Sequence, residues 1–192
     1  MPYETLIILH QKFVFRRYPP GPRCLVTWGG DTSSPFFTPI DASGSSDYFI
    51  PHQEITLRTS LQAVAVRATC FKTVTVCSIY LPPSLKWRKA DIEDLFTQLP
   101  PPVLLLGDFN AHNTSWGCNN TDSKGKVIED FLLQSNLSIL NNGSSTYLHP
   151  GTGSTSAIDI SICQPSLFLD LSWSAHEDLC GCLLYTSPSP RD

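Results

Sequence analysis

The sequence predicts a layered α/β or α+β sandwich, and three features carry that prediction. Strand-like and helix-like segments alternate through the middle of the chain, a pattern that packs as helices on sheets. A run of four aliphatics, Val103-Leu104-Leu105-Leu106, sits between a proline stop and Gly107, as expected of a strand buried on both faces. Sixteen prolines and many Ser and Thr residues favour strands and loops over a helical bundle. At 192 residues the chain is one domain or most of one.

Residues 1–20 hold one apolar run and a basic-aromatic patch, Phe13-Val14-Phe15-Arg16-Arg17-Tyr18. A strand with a solvated edge is the plainer reading of that patch, and a nucleic-acid contact the sharper one. From Pro19 to Phe49 the composition shifts to Pro, Gly, Ser and Asp without a sustained period, and no element is assigned there. From Ile55 the text becomes regular. The β-branched runs at 61–67 and 72–80 are joined by a short turn and read as a hairpin, with Val74, Val76, Ser78 and Tyr80 on one face. Leu81-Pro82-Pro83 ends the second strand, and Ser84 is the expected cap of a helix with Ile92, Leu95, Phe96 and Leu99 at helical spacing. Pro100-Pro101-Pro102 stops that helix and leads into the aliphatic strand.

Beyond the Asn-rich loop around Trp116, Ser123 and Gly125 introduce a second helix with Ile128, Phe131, Leu132 and Ser135 on one face. Residues 137–140 read as the next strand, 149–153 as a turn, 157–163 as an alternating strand, and Leu169, Leu171 and Trp173 as another. No internal repeat is present.

Composition narrows the function. The net charge of −4 argues against a broad electrostatic clamp on nucleic acid, so any DNA contact must be local or metal-assisted. The seven cysteines are scattered, odd in number and without a CxxC pair, which reads as reduced, mostly buried thiols in an intracellular protein. Met1-Pro2-Tyr3-Glu4 has no basic leader, and no apolar run approaches the roughly 20 residues that span a bilayer.

The chemistry gathers around Asp108 and Asn110, two residues apart just after Gly107. In an extended segment both side chains point the same way, into one cleft at the sheet's end. A hard cation such as Mg2+ accepts a few carboxylate oxygens and keeps water and phosphate as its other ligands. The plainer alternative is a strand ending in an Asx turn. Asp159 is a carboxylate between Ile158 and Ile160, either buried with a partner or on a wet face. Tyr80 is either a core aromatic with a tethered hydroxyl or a phosphate contact. The histidines at 10, 52, 112, 149 and 176 show no paired metal spacing, and there is no P-loop or G-x-S-x-G elbow.

In order and spacing, Thr75 to Pro83, Leu104 to Asn113, Trp116-Gly117 and Ser156-Ala157-Ile158-Asp159 together resemble the endonuclease/exonuclease/phosphatase superfamily. Within it they are most similar to the apurinic-type endonuclease domain of non-LTR retrotransposons, over roughly residues 52 to 181. The resemblance implies a DNase I-like, four-layer β-sandwich flanked by helices, with the site at the sheets' shared edge. It implies Mg2+, with Mn2+ as an alternative, and cleavage of one DNA strand to leave a 3′-hydroxyl that primes reverse transcription. Tyr80 would contact the scissile phosphate, Asp108 would bind or activate the attacking water near the metal, Asn110 would orient the phosphate, and Asp159 would polarise a histidine. The implied partners are DNA and a C-terminal reverse transcriptase in the full element, with no membrane; the protein is expected to be a monomer acting in the nucleus.

Departures from the family pattern divide the chain. Residues 1–50 are a poorly matched N-terminal part, in which Glu4, within Tyr3-Glu4-Thr5-Leu6, partly echoes the family's metal-binding Glu. Residues 51–181 carry the domain. Residues 182–192 resemble a translated sequencing adapter and stand where Ser-Asp-His is expected, so the domain reads as incomplete and inactive as this chain. Two rivals remain at this stage: a phosphatase or phosphodiesterase of the same superfamily, and a non-catalytic binding module on a decayed nuclease scaffold.

Overall fold

In a computed structural model, residues 12–15, 23–27, 36–40, 52–69, 72–148 and 153–175 are described. Among these described residues twelve strands and three helices run in the order β1 Lys12–Phe15, β2 Arg23–Thr27, β3 Phe36–Ile40, β4 His52–Ile55, β5 Gln62–Thr69, β6 Thr73–Tyr80, α1 Lys89–Thr97 and β7 Val103–Asp108, followed by a short 3-10 turn, Thr114–Trp116. The chain continues with α2 Ser123–Gln134, β8 Ser138–Ile139, β9 Tyr147–Leu148, β10 Thr155–Ser156, β11 Asp159–Cys163, α3 Pro165–Phe168 and β12 Leu171–Ser174. The segment at 19–49 to which the sequence assigned no element therefore supplies two strands, β2 and β3. β2 pairs with β1 and with β3, its neighbours in the chain, and the local composition does not announce it.

The main sheet has the order β4-β5-β6-β7-β11-β8, and a second sheet the order β12-β1-β2-β3. β9 and β10 form a separate two-stranded ribbon. The expected hairpin is β5 against β6, antiparallel from Gln62↔Tyr80 to Thr69↔Thr73. β6 and β7 are parallel, bridged by α1, while β11 runs antiparallel to β7.

Both faces of the central strands are covered, which is why their sequences are continuous aliphatic runs. One face, with Cys77, Ile79, Val103, Leu105, Ile160 and Ile162, packs on Ile92 and Leu95 of α1 and Ile128 and Phe131 of α2. The Phe96 and Phe131 rings meet edge-on at 5.7 Å and tie the two helices together. The other face, with Val74, Val76, Leu104 and Leu106, packs with Leu171 and Trp173 of β12. Trp173 Nε1 donates to Ser161 Oγ at 3.0 Å, so the indole is both packed and hydrogen-bonded between the sheets. Helices, main sheet and second sheet thus form three layers of the DNase I-like sandwich; a helical layer beyond the second sheet is not among the described residues.

Several boundaries differ from the sequence reading. α1 begins at Lys89, not after Ser84: the Asp91 carboxylate accepts from the Arg88 backbone N–H at 2.7 Å, and residues 84–88 form a loop after the prolines. Leu169 is 94% exposed and lies before β12 rather than within it. The turn expected at 149–153 lies outside the described residues except for Gly153, whose φ of +67° suits a turn. The thiols of Cys77, Cys118 and Cys163 are buried and free, and burial pushes Cys77 up to about 12 and Cys163 up to about 11. No helix among the described residues is long and apolar enough to cross a membrane.

α2 starts at Asp122, whose carboxylate accepts from the Gly125 N–H at 2.6 Å. Gly125 itself lies against residue 112: a Cβ there would fall 1.9 Å from the His112 carbonyl oxygen. The helix start is thereby fixed against the loop that follows β7. Asp122→Ala is expected to lower stability by about 1 kcal/mol, the usual worth of an N-cap. Urea titration checks this; an unchanged midpoint would show that the cap is dispensable.

Candidate active site

The site is built by register. β6 and β7 run parallel and place Tyr80 opposite Asp108, each the last residue of its strand. β11 runs the other way, so its first residue, Asp159, also lies opposite Asp108. Residues some 80 positions apart in sequence therefore meet at one end of three adjacent strands.

Gly107 sets the exit from β7. Its φ is +148°, and a Cβ would lie 1.8 Å from the carbonyl oxygen of Ile79, its register partner on β6. The strand then turns sharply: Asn110 has a φ of +44°, and its N–H donates to Asp108 Oδ1 at 2.8 Å. This is an Asx turn, the plainer reading, and it corrects the expectation that Asp108 and Asn110 share a face of an extended segment. Asn adopts the left-handed region at lower cost than most residues, which suits it to position 110. Asn110 stays at the site by another route: its Nδ2 donates to the Leu81 carbonyl at 3.1 Å, while the Leu81 N–H donates to the Asp108 carbonyl at 2.8 Å.

Asp159 is buried, only 4% exposed, which settles the choice between a wet face and the interior. Its backbone N–H donates to Thr146 Oγ1 at 3.1 Å, and the Asn141 amide donates to its carbonyl at 2.9 Å. Asn141 Oδ1 also accepts from the Ser161 N–H at 2.8 Å, so this one side chain extends the ladder between β8 and β11. Neither Thr146 nor Asn141 was identified from sequence. Both sit in a polar loop with no period, and their partners on β11 lie 13 to 20 residues further on.

The electrostatics follow from burying two acids together. Burial pushes the Asp108 carboxyl up to about 6, against the opposing pull of hydrogen bonds from Asn110 and of the nearby Lys124 ammonium. Burial, then the charge of Asp108, pushes Asp159 up to about 7, against a hydrogen bond from Thr146. Two hard-oxygen carboxylates that resist ionising together fit a divalent cation in donor type, with water and phosphate oxygens completing the shell. Glu4, the other expected metal ligand, lies outside the described residues. Among the described residues no group of three His, Cys, Asp or Glu side chains could hold a metal. The described histidines do not serve Asp159 either: His112 pairs with Asp122 at 3.1 Å, and His52 lies at the far edge on β4.

Residues 74–181, more than half of the chain, match the family described as endonuclease-reverse transcriptase. The RNA-directed DNA polymerase from mobile element jockey of Drosophila funebris is 33% identical over 87 residues, 45% of this chain and 10% of that protein. Its Drosophila melanogaster counterpart is 30% identical over 79 residues, 41% of this chain and 9% of that protein. The chain thus spans about a tenth of the length of the curated relatives it matches. Among solved structures, the endonuclease domain of TRAS1, a telomere-specific non-LTR retrotransposon, matches with a TM-score of 0.58 and 26% identity, over 69% of this chain and 63% of that one.

Proposed function

Since this chain belongs to the endonuclease-reverse transcriptase family, we propose that it is the endonuclease portion of a non-LTR retrotransposon protein, which nicks one strand of DNA. The reading is supported above all by the register that brings Tyr80, Asp108 and Asp159 to one end of three adjacent strands.

The family is generally metal-dependent, and the metal proposed here is Mg2+, with Mn2+ as an alternative. Asp108 would hold it, with Glu4 as a second ligand, and when bound it supplies positive charge against the phosphate. The remaining work falls to the chain's own groups. Tyr80 and the Asn110 amide would bind and orient the phosphate. The Asp108 carboxylate would position a water in line with the leaving 3′ oxygen and draw on its proton. Attack forms the new P–O bond and breaks the bond to the 3′ oxygen, which takes up a proton and leaves as a 3′-hydroxyl beside a 5′-phosphate. That 3′-hydroxyl is the chemistry a primer end needs, so the proposed partners are chromosomal DNA in the nucleus and a reverse transcriptase in the whole element.

Asp159 would polarise a histidine; none of the described ones faces it, and residues 182–192 do not carry the Ser-Asp-His of the family pattern. An enzyme lacking one acid–base partner loses on the order of 10²–10⁴ in rate. This chain is therefore expected to bind Mg2+, measurable by calorimetry and by a raised melting temperature, yet to nick supercoiled plasmid only marginally. Asp108→Ala should remove both the metal binding and any residual nicking. Absence of Mg2+ binding by the wild type would favour a decayed, non-catalytic scaffold instead.

A further inference from the structure

One half-buried cation stands beside the site with no role in the reading so far. Lys124 lies in the first turn of α2, where the helix dipole disfavours a positive charge. Among the described residues no carboxylate is within ion-pair distance of its ammonium. Its Nζ instead donates to the Pro83 carbonyl at 3.0 Å and approaches the Pro82 carbonyl at 3.5 Å. Those prolines directly follow Tyr80 and Leu81, and Leu81 is the residue hydrogen-bonded to both Asp108 and Asn110. The ammonium is thus anchored by main-chain carbonyls of the loop that leaves the strand carrying Tyr80, and its charge pulls against the rise of the Asp108 carboxyl.

A phosphodiester entering this site meets two carboxylates, on a chain whose net charge is −4. Local positive charge is needed to hold it, and carbonyl anchoring leaves the charge of Lys124 unneutralised. We propose that Lys124 is a phosphate-binding residue of the site, contacting an oxygen of the DNA backbone held between Tyr80 and the start of α2. This rests on the nuclease reading, and its test separates the two. Sequence reading passed over Lys124 because a lysine near a helix start is an ordinary surface residue; only the fold brings it to the carbonyls after Tyr80.

The test is binding of the full chain to a short fluorescein-labelled DNA duplex in Mg2+, followed by anisotropy across a salt series, with Mg2+ binding measured separately by calorimetry. Lys124→Gln keeps a donor for the carbonyls and loses the charge. It is expected to bind DNA about tenfold more weakly, as for loss of one charge-assisted contact. Its salt slope should fall by about 0.9, one phosphate's share. Lys124→Arg should restore both, and Mg2+ binding should be unaffected in either variant. If Lys124→Gln matches the wild type in affinity and slope while Mg2+ still binds, the lysine assignment fails and the nuclease reading stands. If Lys124→Arg loses binding and melting temperature as badly as Lys124→Gln, Lys124 is a structural tether and the proposal is overturned. If the wild type binds neither DNA nor Mg2+, both readings fall together.

Discussion

Gly107→Ala is expected to unfold much of the main sheet. The added methyl carbon would sit 1.8 Å from the Ile79 carbonyl oxygen, inside any van der Waals distance, and that oxygen belongs to the backbone of a central strand. The neighbour cannot swing aside as a flexible side chain would. The φ of +148° adds backbone strain that glycine does not feel. Strain at a special φ and overpacking in a full core together cost about 3–5 kcal/mol, a large part of a domain's stability. Urea denaturation followed by circular dichroism reads this directly. A midpoint within experimental error of the wild type would show that β6 and β7 are not as close as described, and with them Tyr80 and Asp108. Asp108→Asn is the matched control, since it keeps the shape of the same turn and should remain folded.

Stability of the metal-free protein is expected to fall as pH rises from about 4 to about 7. Asp159 titrates near 7 in the folded chain and at 3.8 as an isolated side chain; Asp108 titrates near 6. Across that window the unfolded chain releases protons that the folded chain retains, so raising the pH favours unfolding. Below about pH 4 both states are protonated and the full stability is present. At about 1.4 kcal/mol per pKa unit, Asp159 contributes a loss on the order of 4 kcal/mol by pH 8. In chelator, the urea midpoint should therefore be higher at pH 5 than at pH 8. Asp159→Asn should flatten the profile and leave the variant more stable than wild type at pH 8. Adding Mg2+ at pH 8 should recover stability in the wild type, because a cation replaces the protons that hold the two acids together. A midpoint that rises from pH 5 to pH 8 without metal would contradict the burial of Asp159.

Much of the fold was legible because it is local. The aliphatic run before Gly107 becomes a strand buried on both faces, and the apolar spacing of Ile92, Leu95, Ile128 and Phe131 becomes two helices on one face of the sheet. The order and spacing of the motifs were enough to identify the family, whose description matches residues 74–181. Capping was less legible: Ser84 has the right chemistry for an N-cap, but Asp91, reaching back to the Arg88 N–H, fixes the helix start.

By itself, the sequence determined the main strands and two helices of the core and the turn at Gly107, because each depends on neighbours within a few residues. Only the tertiary structure decided that β2 and β3 exist, that Asp159 is buried and held by Thr146 and Asn141, that Asn110 turns left-handed while bonded to Leu81, and that Lys124 meets the carbonyls after Leu81. Asp159 and Asn110 depend on partners far away in the chain, and β2 and β3 on a pairing with β1 and with each other that the local composition hides. Register, burial and the field of one charge on another arise only once the strands have paired.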